Sequence, residues 1–327
     1  LAEYYLKAFA WGLPGTIFFI TFTCFYAGIS RPMMTMIVSF IMLAMNVIGN
    51  YTLIYGHFGF PELGVVGAGW ASTLSAWSGA LTILMFTFLR REFREHFLGR
   101  PVFRLYSSLL RQILKIGLPS GLSIIFESSM FAVFSLLMGR FGVTVLAGSQ
   151  IALNCAAIMF MIPLGLSFAI TTNVAVYVGQ EKYREARLAG IAGYTVSICF
   201  SILSATALFL FNHQIAAVYT NNPELITIAA TLLVFAGIFQ LSDGLQVSGI
   251  GILRGYKDTR IPMISNLVSY WGVGMTLGYI LGFVFDFEAQ GMWVGIIIGL
   301  SVAAILHGLR FRSVASHWIQ RQTDITD

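Results

Sequence analysis

Two carboxyl groups stand apart from the other ionisable residues of this chain. Of its 14 acidic residues, 12 fall in short polar stretches or near the ends, whereas Glu127 and Asp243 each lie inside a long apolar run. Glu127 is 12 residues beyond Lys115 and 13 before Arg140, and Asp243 is 11 before Arg254. At 1.5 Å of helical rise per residue, each carboxyl is about 16–20 Å from its flanking charges. A carboxylate at that depth in a bilayer costs about 2.5–3.5 kcal/mol on insertion scales. No Lys or Arg occupies any apolar run to neutralise either group. A proton, a sodium ion or a cationic solute could do so, and such occupants compete for one charge, which is the chemistry of exchange. The blander reading is a protonated carboxyl hydrogen-bonded to a neighbouring helix.

Other residues could complete such a site. Phe239 precedes Asp243 by one helical turn, so its ring shares that face and could add a cation-to-ring attraction of about 0.5–2 kcal/mol; for any one of 28 phenylalanines, plain packing is the default. Asn46 with Asn50, and Gln150 with Asn154, are i, i+4 amide pairs that could line a substrate cavity. Equally, such amides could join helices, at about 0.6 kcal/mol each. The 13 methionines and 14% aromatics could line a cavity that repacks around different ligands, or simply face lipid.

Several chemistries are missing. No GxxxxGK[ST] phosphate loop, GxSxG elbow or HExxH zinc pair occurs. Cys24, Cys155 and Cys199 lie singly in apolar runs, so neither a disulfide framework nor a zinc site is expected, and all three read as small buried hydrophobes. No cofactor is expected, only a coupling ion, sodium or proton, with Glu127 and Asp243 as the oxygen ligands if sodium is used. An intramembrane enzyme built on that carboxyl pair is the alternative from a different class.

The elements that must hold these groups are membrane helices. The chain is 57% hydrophobic and 10% charged, with a mean hydropathy of +0.81, against about 25% charged residues in soluble domains. Nine apolar segments, 8–29, 33–56, 65–89, 116–139, 141–178, 188–211, 224–253, 261–285 and 289–309, are each long enough to cross about 30 Å of hydrocarbon. The predicted fold is an all-α integral membrane protein, a polytopic helical bundle with the lipid bilayer as its solvent. Pro163 within the fifth segment predicts one kinked helix rather than two spans. Of the 19 basic residues, 17 cluster in alternate loops, which places those loops and the carboxyl end in the cytoplasm and the amino end outside. Clusters between apolar runs are topology signals, and they exclude nucleic acid as the partner of a chain with pI near 9.2. The polar stretch after Arg90 divides the chain into a three-helix part at 1–89, a cytoplasmic linker at 90–114, a six-helix lobe at 115–312 and a cytoplasmic tail at 313–327. Gly274, Gly278 and Gly282 form a double GxxxG, and Gly295 with Gly299 another, both helix-packing signals.

The stretch from Tyr55 to Gly69, including Gly56, Pro61, Glu62 and Gly64, resembles the loop between the fifth and sixth helices of multidrug and toxic compound extrusion transporters. The run from Leu253 through Arg254, Gly255, Asp258 and Arg260 to Met263 is similar to their tenth-to-eleventh connection, and Gly117, Leu118, Pro119 with Glu127, and Gln150 to Asn154, to their seventh and eighth helices. The resemblance implies twelve helices in two six-helix lobes, of which this sequence looks like the fourth to twelfth. Three missing amino-terminal helices would then be required for function, and an odd number upstream fits an outside amino end. It also implies the bacterial sodium-type branch, an inner-membrane location, and secondary efflux of small amphipathic cationic drugs or dyes by alternating access. In that branch a glutamate of helix seven and an aspartate of helix ten form a cation site, at the places of Glu127 and Asp243. Phe239 stands where some relatives have tyrosine, and no obligate protein partner is implied. A lipid or oligosaccharide flippase of the same fold is the alternative within the class.

Overall fold

In a computed structural model the chain is described over residues 2–89 and 106–326, with side chains as far as 320. All regular structure among these residues is helical. Arg90, Arg91, Arg94, Arg100 and Arg104, and most of the linker expected at 90–114, lie outside the described residues, as does the side chain of Arg321. The chain divides into two compact units, Leu1–Leu105 and Tyr106–Asp327.

The first unit holds α1 (Ala2–Ala10), α2 (Leu13–Gly28), α3 (Pro32–Tyr55) and α4 (Val65–Leu89). A single span was expected at 8–29, but α2 has only 16 residues, roughly 24 Å of helix. A crossing here takes α1 as well, and the two meet at a bend of 45°. Pro14, in the first turn of α2, has no N–H to continue a helix from α1. Gly12 lets the elbow seat on α4, since a Cβ there would stand 2.9 Å from the Thr73 hydroxyl oxygen. Tyr26, fully buried, is hydrogen-bonded through its hydroxyl to Thr87 on α4 at 3.0 Å. Gly56 ends α3 at a φ of 69°, the left-handed region where a Cβ is penalised.

The second unit comprises α5 (Ser107–Met138), α6 (Val143–Gly179), α7 (Tyr183–Leu210), the short α8 (Asn212–Tyr219), α9 (Pro223–Gly255), α10 (Arg260–Val284) and α11 (Glu288–Thr326). Among the described residues eight unbroken helices are long and apolar enough to span a bilayer, and the bent pair makes nine if it counts as one. Helix α6 runs unbroken through Pro163, as its sequence predicts. Helix α5 starts at Ser107 rather than near 116, and α11 continues to Thr326. Apolar runs mark the bilayer, not the helix, so turns bearing Arg111 and Lys115 are helical without being apolar.

Helix α9 is the centre of this unit and packs against α6, α7 and α11. It buries polar groups that lipid could not satisfy, so neighbouring helices hydrogen-bond to it. Hydroxyls of Ser167 and Thr171 on α6 donate to the carbonyls of Val247 and Gly251 at 2.9 and 2.8 Å, and Ser197 on α7 donates to that of Gly244 at 2.9 Å. The paired GxxxG runs pack α10 on α11: a Cβ at Gly299 would lie 2.7 Å from the Gly274 Cα. Helix α10 is π-wound over Val268–Met275 and Ile280–Val284, a form concentrated at functional sites. Of the cysteines, Cys155 is buried but Cys24 and Cys199 are exposed. A small apolar side chain is as stable against lipid as in a core, so hydropathy alone cannot bury it.

Candidate functional site

Glu127 sits on α5 and Asp243 on α9, yet both line one cavity of about 230 Å³. Its other walls are Phe131, Leu153, Ala156, Ala157, Phe160 and Phe239. Among the described residues the carboxyls are thus its only ionisable lining groups. Asp243 is 4% exposed, and its Oδ1 has no hydrogen-bond partner. A buried acceptor without a donor loses its full hydration, which a cation or proton in the cavity would restore.

The register that brings the two carboxyls together is set by α10. Asn266 donates to the Ser123 hydroxyl of α5 at 2.7 Å, and one turn later the Trp271 indole donates to the Phe126 carbonyl at 3.2 Å. Ser123 and Glu127 are four residues apart, as are Asn266 and Tyr270, so each pair shares a helix face. Tyr270 is fully buried, within electrostatic reach of both Glu127 and Asp243, and accepts a hydrogen bond from the Gln246 amide of α9. Gln240, one turn before Asp243, donates to the Ala156 carbonyl at 2.7 Å and fixes α9 against α6.

Phe239 lines the cavity and is also core. Its ring meets Phe131 and Trp293 edge-on, with centroids 6.0 Å away in each case. Such contacts hold the ring still, as a cation-facing wall requires.

The amide pairs are placed differently. Gln150 and Asn154 line a second cavity of about 470 Å³ with Ile151, Leu153 and Tyr219. Leu153 is common to both cavities. Tyr219 of α8 donates to the Asn154 side-chain oxygen at 2.8 Å. Asn46 and Asn50 belong to the first unit, where Asn50 donates to Asn46 at 2.9 Å within α3. That bond closes on one helix, and the pair is half-buried within the first unit.

No group of three or more His, Cys, Asp or Glu residues is placed to hold a metal ion among the described residues. Two carboxylates beside aromatic rings instead suit a hard or organic cation that binds and leaves. Sequence reasoning passed over Tyr270, Gln246 and His307. Gln246 lies one turn beyond Asp243, and His307 is an ionisable residue inside the last apolar run, signals that were available. The place of Tyr270 follows only from how α10 packs.

A family model described as MatE matches residues 119–280. The probable multidrug resistance protein NorM of Idiomarina loihiensis is 38% identical over 318 residues, an overlap of 96% of this chain and 69% of that protein. The multidrug resistance protein PmpM of Pseudomonas aeruginosa is 38% identical over 321 residues, 97% of this chain and 67% of that protein. Among solved structures, MATE in the bent conformation superposes with a TM-score of 0.86 at 21% identity, over 98% of this chain and 70% of that one. A eukaryotic MATE transporter gives a TM-score of 0.82 at 21% identity, over 96% and 71%.

Proposed function

Because the chain belongs to the MATE family of membrane transporters, we propose that it serves multidrug efflux, exporting amphipathic organic cations in exchange for sodium ions or protons. Glu127 and Asp243 are the shared cation site, Phe239 is its aromatic wall, and the cavity of Gln150 and Asn154 is a route for substrate. One observation carries the reading: the two intramembrane carboxyls open into one cavity whose remaining lining is apolar. That lining suits an organic cation with aromatic or alkyl groups, and the carboxyl pair attracts its charge. A lipid or oligosaccharide flippase handling anionic head groups would need basic residues there, and the walls supply none.

Coupling follows from the shared charge. An ion that occupies the carboxyls displaces the organic cation, and an ion can shift the transporter only by its differential affinity for the two access states. Two oxygen ligands and a ring serve sodium, and a carboxyl can take a proton in its place. With basic loops inside, the carboxyl end lies in the cytoplasm of a bacterial inner membrane.

Everted membrane vesicles test this. Fluorescent cation uptake should require an ion gradient and stop when both sodium and proton gradients are collapsed. Accumulation that continues unchanged would remove the exchange reading.

A further inference from the structure

Beyond the carboxyls, buried polar atoms continue along α9 and α11 toward the basic loops. His307 on α11 is fully buried, with its Nδ1 3.3 Å from the Gln246 carbonyl oxygen. Gln246 is three residues past Asp243, about 4.5 Å along the helix axis, and its amide holds the Tyr270 hydroxyl. On the other side of His307, α9 presents Gly249. A Cβ there would stand 2.6 Å from the Tyr194 hydroxyl of α7 and 2.7 Å from the Cβ of His307. That glycine therefore lets a phenol and an imidazole close over one stretch of backbone. One turn beyond His307, the Arg310 Nε donates to Asp258 Oδ2 at 2.7 Å. This pair lines a cavity of about 350 Å³ together with Tyr256 and His317.

Several buried atoms on these helices have no hydrogen-bond partner: Asp243 Oδ1, Gln246 Oε1, Ser248 Oγ, Ser269 Oγ and Tyr194 Oη, while the His307 ring is held between the backbones of Gln246 and Pro262. Most buried polar atoms are satisfied, and a cluster of orphans on facing helices marks a place for ordered water. A histidine in a membrane helix is a relay candidate by its chemistry, since neutral imidazole accepts a proton on one nitrogen and can lose one from the other. Within the apolar parts of the elements around it the titratable groups include Tyr194 of α7, Asp243 of α9, Tyr270 of α10 and Glu127 of α5; toward the basic loops stand Arg187 of α7, Arg254 of α9, Arg260 of α10, and Arg310, Arg312 and His317 on its own helix.

We infer that His307, flanked by Tyr194 and by the Gln246–Tyr270 pair, is the protonatable station of a water-filled track linking the Glu127–Asp243 site to the cavity at Arg310 and Asp258. This deepens the exchange reading and rests on it. When an organic cation displaces a proton from a carboxyl, an O–H bond breaks there and water carries the proton to His307, where an N–H bond forms. The imidazolium then returns one proton to water in the far cavity, so the ring ends neutral. Gln246 and Tyr270 do not titrate in this scheme; they position the waters.

The test is stopped-flow proton release, followed with a pH indicator, when tetraphenylphosphonium is added to the detergent-solubilised full-length protein. His307→Gln keeps a polar side chain of similar size but has no titratable nitrogen. It should slow release at least tenfold while leaving the total protons released and the equilibrium affinity for tetraphenylphosphonium as in the wild type. Tyr194→Phe, a gentler change should the first variant fold poorly, should slow release severalfold with the same two quantities unchanged. Release within twofold of wild type in either folded variant would overturn the track. A wild-type protein that transports the cation without releasing protons would overturn it too and leave the exporter reading standing. A wild-type protein that neither binds nor moves the cation would instead overturn the exporter reading.

Discussion

Replacing Asp243 with Asn, or Glu127 with Gln, should remove ion-driven efflux almost completely while leaving a folded protein. Each amide keeps the size of its acid and deletes the charge for which ion and substrate compete. Interactions of a charged hydrogen-bonding group contribute about 1.5–3 kcal/mol, a factor of roughly 10 to 150. Asp243→Asn should fall at the severe end, because that carboxyl is nearly fully buried with an unpartnered oxygen, and Glu127→Gln somewhat below it. The double variant should be little worse than Asp243→Asn alone, since groups that act on one occupant are not additive. Thermal stability in detergent should hold or rise, because a neutral group is cheaper to bury. Transport assays in proteoliposomes beside thermal melts check this. Wild-type efflux by both folded single variants would rule out the carboxyl pair as the exchange site.

A second large effect belongs to the fold. A Cβ at Gly295 of α11 would fall on the backbone nitrogen and Cα of Gly278 in α10 and lie 2.7 Å from the Gly274 carbonyl oxygen. Nothing flexible can turn aside there, so the helices must separate. Gly295→Ala should therefore destabilise at or above the upper end of the about 1–3 kcal/mol seen on overpacking. Separation also shifts α10, which carries Tyr270 and Asn266, so transport should fall in the protein that still folds. Gly308→Ala, on the same helix with open space around it, is the control and should melt as the wild type does or slightly higher. Equal melting of Gly295→Ala and wild type would contradict the close packing of α10 on α11.

The parts of this molecule legible in its sequence are those that lipid writes directly. A bilayer demands long apolar runs, so from 33 onward each span could be drawn, most to within several residues, though the polar turns that extend α5 and α11 could not, and Glu127 and Asp243 stood out because charge is expensive there. The GxxxG runs carried a second message, since missing side chains in a register permit backbone contact, and Gly274 does meet Gly299. The elbow at Gly12 was hidden because the apolar run continues through it; Pro14 was its one sign. The hydrogen bond from Asn50 to Asn46 follows from their i, i+4 spacing, a spacing that serves closure on one helix and a shared polar face equally. Nothing in the order of residues announces that α10 places Tyr270 within electrostatic reach of both carboxyls. That depends on Asn266 meeting Ser123 across helices far apart in the chain, and on a π-wound stretch that rotates the face.

The central claim is that coupling ion and organic cation occupy the same carboxyls in turn. Equilibrium binding of tetraphenylphosphonium to the purified protein, titrated at a series of sodium concentrations and again at a series of pH values, measures it most directly. The apparent dissociation constant should rise in proportion to the activity of the competing ion without saturating, and Asp243→Asn should abolish that dependence. An affinity indifferent to both sodium and protons, or a dependence that persists unaltered in Asp243→Asn, would contradict it.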